Sequence, residues 1–173
     1  MTEKREGAQG RIIDAFNKLM LARKSGRPRV AEIVAEAGVA RSTVYEKFDG
    51  KDGVLLEAFK GPLSIIAKCA TSDADTEYLI GILKHFRERR ADVGSLLTGP
   101  LMNRITRLLA ALIDERSHAT PLTRDAALHI ADSQIAFIRL WLIGETRYTP
   151  EALASLMRDH GRAQRAFFQA QSQ

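Results

Sequence analysis

One cysteine, Cys69, is all that 173 residues contain. No intrachain disulfide can form, and none is expected in a reducing cytoplasm, where we place the protein. Long apolar runs are missing too. No stretch approaches the roughly 18–20 residues that span a bilayer. The most apolar one, Ile135–Ile143, is interrupted by Arg139, so no membrane partner is expected. The opening residues, MTEKREGAQG, have no apolar core, and no signal peptide is expected. The motifs of common enzymes are also missing: GxSxG, HExxH, GxxxxGKS/T and CxxC. Cys69 has no recognisable catalytic partner. We therefore expect no enzyme, no metal and no cofactor. Asp125, His129 and Asp132 share one helix side at metal-like spacing, but a solvated charged face is the default for such a group. Strand signals are nearly absent, and internal repeats and low-complexity segments are lacking.

What is present is moderate in composition. Hydrophobic residues make up 45% and charged residues 27%, the balance of a globular chain. Net charge is +5, which favours an anionic partner without naming it. The excess is thin. Residues 1–60 hold 12 Lys and Arg against 9 Asp and Glu, and residues 61–173 hold 14 against 12. A polyanion site must arise by placement of side chains.

Apolar residues recur at three- and four-residue spacing nearly throughout, the period of an all-helical protein. A first helix, about 10–24, carries Ile12, Ile13, Phe16, Leu19 and Met20. A second carries Val30, Ile33, Val34 and Ala37, with Gly38 behind it for a tight turn. A third runs from about Arg41 to Phe48. A fourth starts near Asp52, and Gly61-Pro62 is expected to break or kink it. The domain boundary is placed there, giving residues 1–60 and 61–173. Helices are expected at about 75–90 and 92–97, then from Gly99-Pro100 to near His118. Thr120-Pro121 and Thr149-Pro150 resemble caps followed by proline in the first helical position. They open two long helices, about 121–144 and 150–169.

VAEIVAEAGVARSTVYEKF, residues 30–48, is the informative stretch. Two short helices about a glycine turn form the helix-turn-helix pattern. Val39 plugs the turn, while Val44 and Phe48 anchor the second helix. Arg41, Ser42, Thr43, Glu46 and Lys47 fill its remaining face. Short hydrogen-bonding side chains near its start let base edges approach in a major groove. The Tyr45 hydroxyl suits a phosphate oxygen, and Lys51 adds a charge at the start of the next helix. A bare pattern of this kind also fits two surface helices of an ordinary bundle.

Residues 11–60 as a whole resemble the tetracycline-repressor (TetR) family of bacterial transcription regulators. The resemblance rests on RIIDAFNKLM, on the 30–48 segment, and on Lys51 and Leu55. It implies that Arg41, Ser42, Thr43, Tyr45, Lys47 and Lys51 touch DNA. There are departures. Ala40 stands where a capping hydroxyl is frequent. Arg29 replaces a frequent capping threonine before the second helix, adding a charge near the DNA backbone. Glu46 stands at an often aromatic position; it can accept from cytosine N4 or form an ion pair with a nearby cation. Gly50 replaces a frequent Ser or Asn cap, a small loss.

The larger C-terminal region is expected to bind ligand and to dimerise. Pocket candidates are Phe86, Leu97, Met102, Asn103, Arg107, Gln134, Phe137 and Trp141. Interface candidates are Ile138, Leu142, Leu153, Leu156, Met157, His160, Gly161 and Phe167, with Gly161 allowing close helix approach. The reading is a ligand-responsive transcriptional regulator, a repressor binding a palindromic operator as a homodimer. Its partners are double-stranded DNA, a small-molecule effector and a second copy of itself. The alternative is a ligand-independent architectural protein, or an activator, on the same fold.

Overall fold

The computed structural model describes residues 7–23, 26–72, 76–117 and 122–171. Among them are nine helices and no strand, in line with the all-α expectation. Contacts divide the chain into two compact units, residues 1–59 and 60–173.

The first unit holds α1 (Ala8–Ala22), α2 (Val30–Ala37), α3 (Arg41–Lys47) and the start of α4 (Gly50–Thr71). The first three helices pack on one another. Their shared core is small: Ile12, Ile13, Ala15 and Phe16 from α1, Ile33 and Ala37 from α2, and Val44 from α3. Val44 is the one fully buried residue of α3. Two glycines set the turns. Gly38 ends α2 at φ +62° and donates its N–H to Val34 O. Gly50, the first residue of α4, has φ +59°. Both are left-handed positions that strain any residue with a Cβ. Gly50 thus meets a backbone requirement, which corrects its reading as a weakened cap.

The break expected at Gly61-Pro62 is absent. α4 runs on through Pro62 to Thr71. Proline removes one helical hydrogen bond, but the helix has a compensating stripe. Leu63, Ile66, Ala67 and Ala70 are all buried, at spacings of three, one and three residues. Tertiary packing overrides the local breaker.

The second unit adds α5 (Glu77–Glu88), α6 (Arg90–Thr98), α7 (Met102–Arg116), α8 (Arg124–Ile143) and α9 (Pro150–Gln171). α8 is its axis, packing on α5, α6, α7 and α9. It begins with a cap from Thr123, whose Oγ1 accepts from Ala126 N at 3.2 Å. The start expected at Thr120-Pro121 falls outside the described residues. α9 starts where expected: Thr149 Oγ1 accepts from Ala152 N at 3.1 Å, and Pro150 occupies the first turn. α8 also corrects the reading of apolar runs. Its 20 residues are long and apolar enough to cross a membrane, yet half of that stretch is buried inside the unit. Its apolarity serves a core with neighbours on several sides.

Candidate nucleic-acid interface

α2 and α3 form the pair that the sequence pattern pointed to. The start of α2 has no side-chain cap from Arg29. Glu32, at the third helical position, does that work instead. Its Oε2 accepts from the Arg29 backbone N–H at 2.7 Å, and its Oε1 pairs with the Arg23 guanidinium. This is the returning half of a capping box. The Arg29 hydrogen bond, helped by the charge of Arg23, holds the Glu32 carboxyl below its ordinary range. Sequence reasoning passed over Glu32. Its signal was the three-residue interval from Arg29. Relieved of capping, the Arg29 side chain is exposed at the helix start.

α3 is seated by Val44, with Phe48 half-buried behind it and donating its N–H to Val44 O at 2.9 Å. Gly53 of α4 comes close to Phe48: a Cβ there would lie 3.2 Å from Phe48 Cβ and 3.3 Å from its carbonyl carbon. No side chain caps α3 at Ala40. Around the anchored side, Arg41, Ser42, Tyr45, Glu46 and Lys47 are exposed, and Thr43 is half-buried. Lys51 is exposed in the first turn of α4. Its neighbour Asp52 pairs with Arg27 at 3.4 Å, so that carboxylate is neutralised beside the lysine.

Two details bear on recognition. The Arg41 guanidinium folds back on Tyr45: Nη2 lies 3.3 Å from the hydroxyl, and the guanidinium carbon 5.7 Å from the ring centroid. The pair orders two long side chains at one edge of the face. Glu46 makes no ion pair with any described residue. Its carboxylate is available as an acceptor on a face otherwise made of donors and cations.

The other nominated residues are scattered. Phe86, Leu97, Gln134 and Trp141 are buried, Met102 and Phe137 half-buried, and Asn103 and Arg107 exposed. Gln134 already donates to Met157 O at 3.0 Å. Phe137 stands edge-on to His160, with ring centroids 5.0 Å apart. Only Trp141 of the eight borders a cleft described below. Of the interface nominees, Ile138, Leu142, Leu153 and Met157 lie in this chain's own core. Gly161 does leave room for a close helix, but the helix is α4. A Cβ on Gly161 would lie 2.9 Å from Ala70 Cα. These five residues are occupied within one protomer. Leu156 and His160 are half-buried, and Phe167 is 59% exposed. His129 stacks on Phe168 at 5.9 Å.

Comparison with known proteins agrees with this anatomy. Residues 12–58 match the family of bacterial regulatory proteins described as the tetR family. A crystal structure of the TetR family repressor AlkX, from Dietzia sp. strain DQ12-45-1b and implicated in biodegradation of n-alkanes, superposes with a TM-score of 0.58. It is 19% identical, over 95% of this chain and 98% of that one. The dihydroxyacetone kinase operon activator DhaS gives 0.48 at 17% identity, over 93% and 97%. No curated protein matches the chain in sequence.

Proposed function

We propose that this chain, which carries the TetR-family helix-turn-helix domain over residues 12–58, is a homodimeric repressor that a small-molecule effector releases from a palindromic operator. Residues 1–60 form the reading head. Residues 61–173 hold effector and partner. The observation that carries the reading is the α3 face: polar and cationic side chains exposed on a helix that its own core holds by one side only. Inserted in a major groove, Arg41 can grip guanine O6 and N7 together. Ser42 and Thr43 are short enough to bring the helix start close to the bases. Glu46 accepts from cytosine N4. Tyr45, Lys47, Lys51 and Arg29 take phosphate oxygens, which position the head without reading sequence. Two heads read half-sites roughly 34–36 Å apart.

The dimer forms along the outer side of α8 and α9. Leu128 (42% exposed) and Phe167 (59%), the latter edge-on to Phe168, are exposed there, and Phe137, Leu156 and His160 on the same two helices are half-buried. Effector binding then selects a different head spacing. A tenfold change in operator occupancy needs about 1.4 kcal/mol of differential affinity between the two states.

The test is operator selection from a random duplex library, followed by fluorescence anisotropy across a salt series. Lys51→Ala is expected to weaken specific and non-specific DNA alike and flatten the log–log salt slope by about one. Arg41→Ala is expected to relax one base position, worth about 1–3 kcal/mol of discrimination. Wild-type behaviour in both variants sinks the assigned face. Light scattering that finds a monomer at micromolar concentration sinks the dimer.

A further inference from the structure

At the C-terminal end of α8 lies a cleft of about 410 Å³. Arg87 of α5, Arg90 of α6, Trp141 and Leu142 of α8, and Arg147 and Tyr148 of the α8–α9 connection line it. Three guanidiniums border it, and among the described residues no carboxylate does. The adjoining cleft is the contrast. It is lined by Lys84 and Arg87 together with Glu88 and Glu151, and Lys84 pairs with Glu151 at 2.9 Å. There Lys84 and Glu151 neutralise each other. Arg87, shared by both clefts, has no ion pair with a described residue.

Nor are the arginines idle surface chains. Arg90 Nη2 donates to Leu142 O at 3.1 Å, so it satisfies a carbonyl in the last turn of α8. The Arg87 guanidinium sits over the Trp141 ring, 6.0 Å from its centroid. The indole is itself held, since Nε1 donates to Tyr148 O at 2.8 Å. Two cations are thus positioned by a carbonyl and a π face, neither of which neutralises them. Arg147 is exposed and has no hydrogen bond or ion pair with a described residue. Planar guanidiniums grouped this way match a carboxylate or phosphate by paired N–H donors. Leu142 and Tyr148 add apolar surface beside them. The volume lies in the range of small-molecule sites.

We propose that this cleft binds a small organic anion, one carboxylate or phosphate group on a compact apolar or aromatic body. The inference rests on the reading of residues 61–173 as the effector region, and it names the effector's charge. Trp141 is the only tryptophan in the chain, so intrinsic fluorescence of the full-length protein reports on the cleft. Phenyl phosphate is expected to change that fluorescence saturably. Benzyl alcohol, uncharged and of similar body, is expected not to. Arg147→Gln, which touches no packing, is expected to weaken the phenyl phosphate response by about tenfold, the loss of one charge-assisted pair. Arg124→Gln, at the far end of α8, is expected to leave it unchanged. Should Arg147→Gln fail to fold by circular dichroism, Arg87→Gln carries the same test. A response that does not saturate, that benzyl alcohol equals, or that ignores the arginine substitution overturns the site. Operator binding is measured separately. Intact operator binding with no phenyl phosphate response overturns the cleft alone. A saturable response with no operator binding overturns the regulator reading alone.

Discussion

α3 and α8 are built for opposite purposes. α3 has seven residues, one of them fully buried. α8 has twenty, nine of them buried, with four helices against it. A short helix held on one side leaves most of its surface to a partner. A long helix surrounded by others has little left to offer. This is why the polar residues nominated in α3 are exposed, Thr43 only in part, whereas nominees in α8 and α9 such as Ile138, Gln134 and Met157 belong to the core. Function in the second unit has to be sought at helix ends and outer edges, where the arginine cleft and the exposed Leu128 and Phe167 lie.

The contrast can be broken by substitution, beginning where the cost is greatest. Ile138→Ala removes a wholly buried side chain of α8 and is expected to cost about 2–5 kcal/mol. Chemical denaturation should show the midpoint fall with the slope unchanged. A loss below that range would mean that α8 is less committed to its own core than its burial implies.

Gly161→Ala comes next. Its Cβ would press on the Ala70 backbone of α4, and overpacking of this kind costs about 1–3 kcal/mol. The loss is expected in each protomer. The fall in melting temperature should therefore not depend on protein concentration beyond the wild-type dependence. A concentration-dependent loss would return Gly161 to the subunit interface.

Gly50→Ala tests the reading head. Space is available, with the nearest atom, Tyr45 Cε1, 3.9 Å from the new Cβ. The left-handed backbone is the obstacle, and about 1–2 kcal/mol is expected. Operator affinity should fall with it, because this turn aligns α3 with Lys51. An unchanged thermal melt would show that the turn relaxes freely.

The smallest effect is that of Glu32. A carboxyl whose pKa is lowered on folding contributes stability that is present above its unfolded value near 4.5 and lost as pH falls through the folded value. Wild type should therefore lose stability relative to Glu32→Gln as pH drops below about 4.5, and the two should differ most near neutrality. Parallel pH–stability curves would remove Glu32 from the cap.

The amino-acid sequence alone determined the helical class, the helix-turn-helix and its exposed residues. The reason is that these depend on short intervals: apolar residues three and four apart, a glycine in a tight turn, and a few buried anchors in each short helix, Ile33 and Ala37 in α2 and Val44 in α3. Thr149-Pro150 was legible for the same reason, since a cap acts within three residues. Only tertiary structure decided that α4 continues through Pro62, that Gly61-Pro62 ends no helix, and that Gly161 faces Ala70. In each case residues distant in sequence supply the burial or the contact that overrules a local preference. The arginine cleft is of the same kind. Arg87 and Arg90 stand more than fifty residues before Arg147, and nothing in their local spacing announces the pocket. They share it because α5, α6 and the end of α8 pack together, which brings three cations to one cleft.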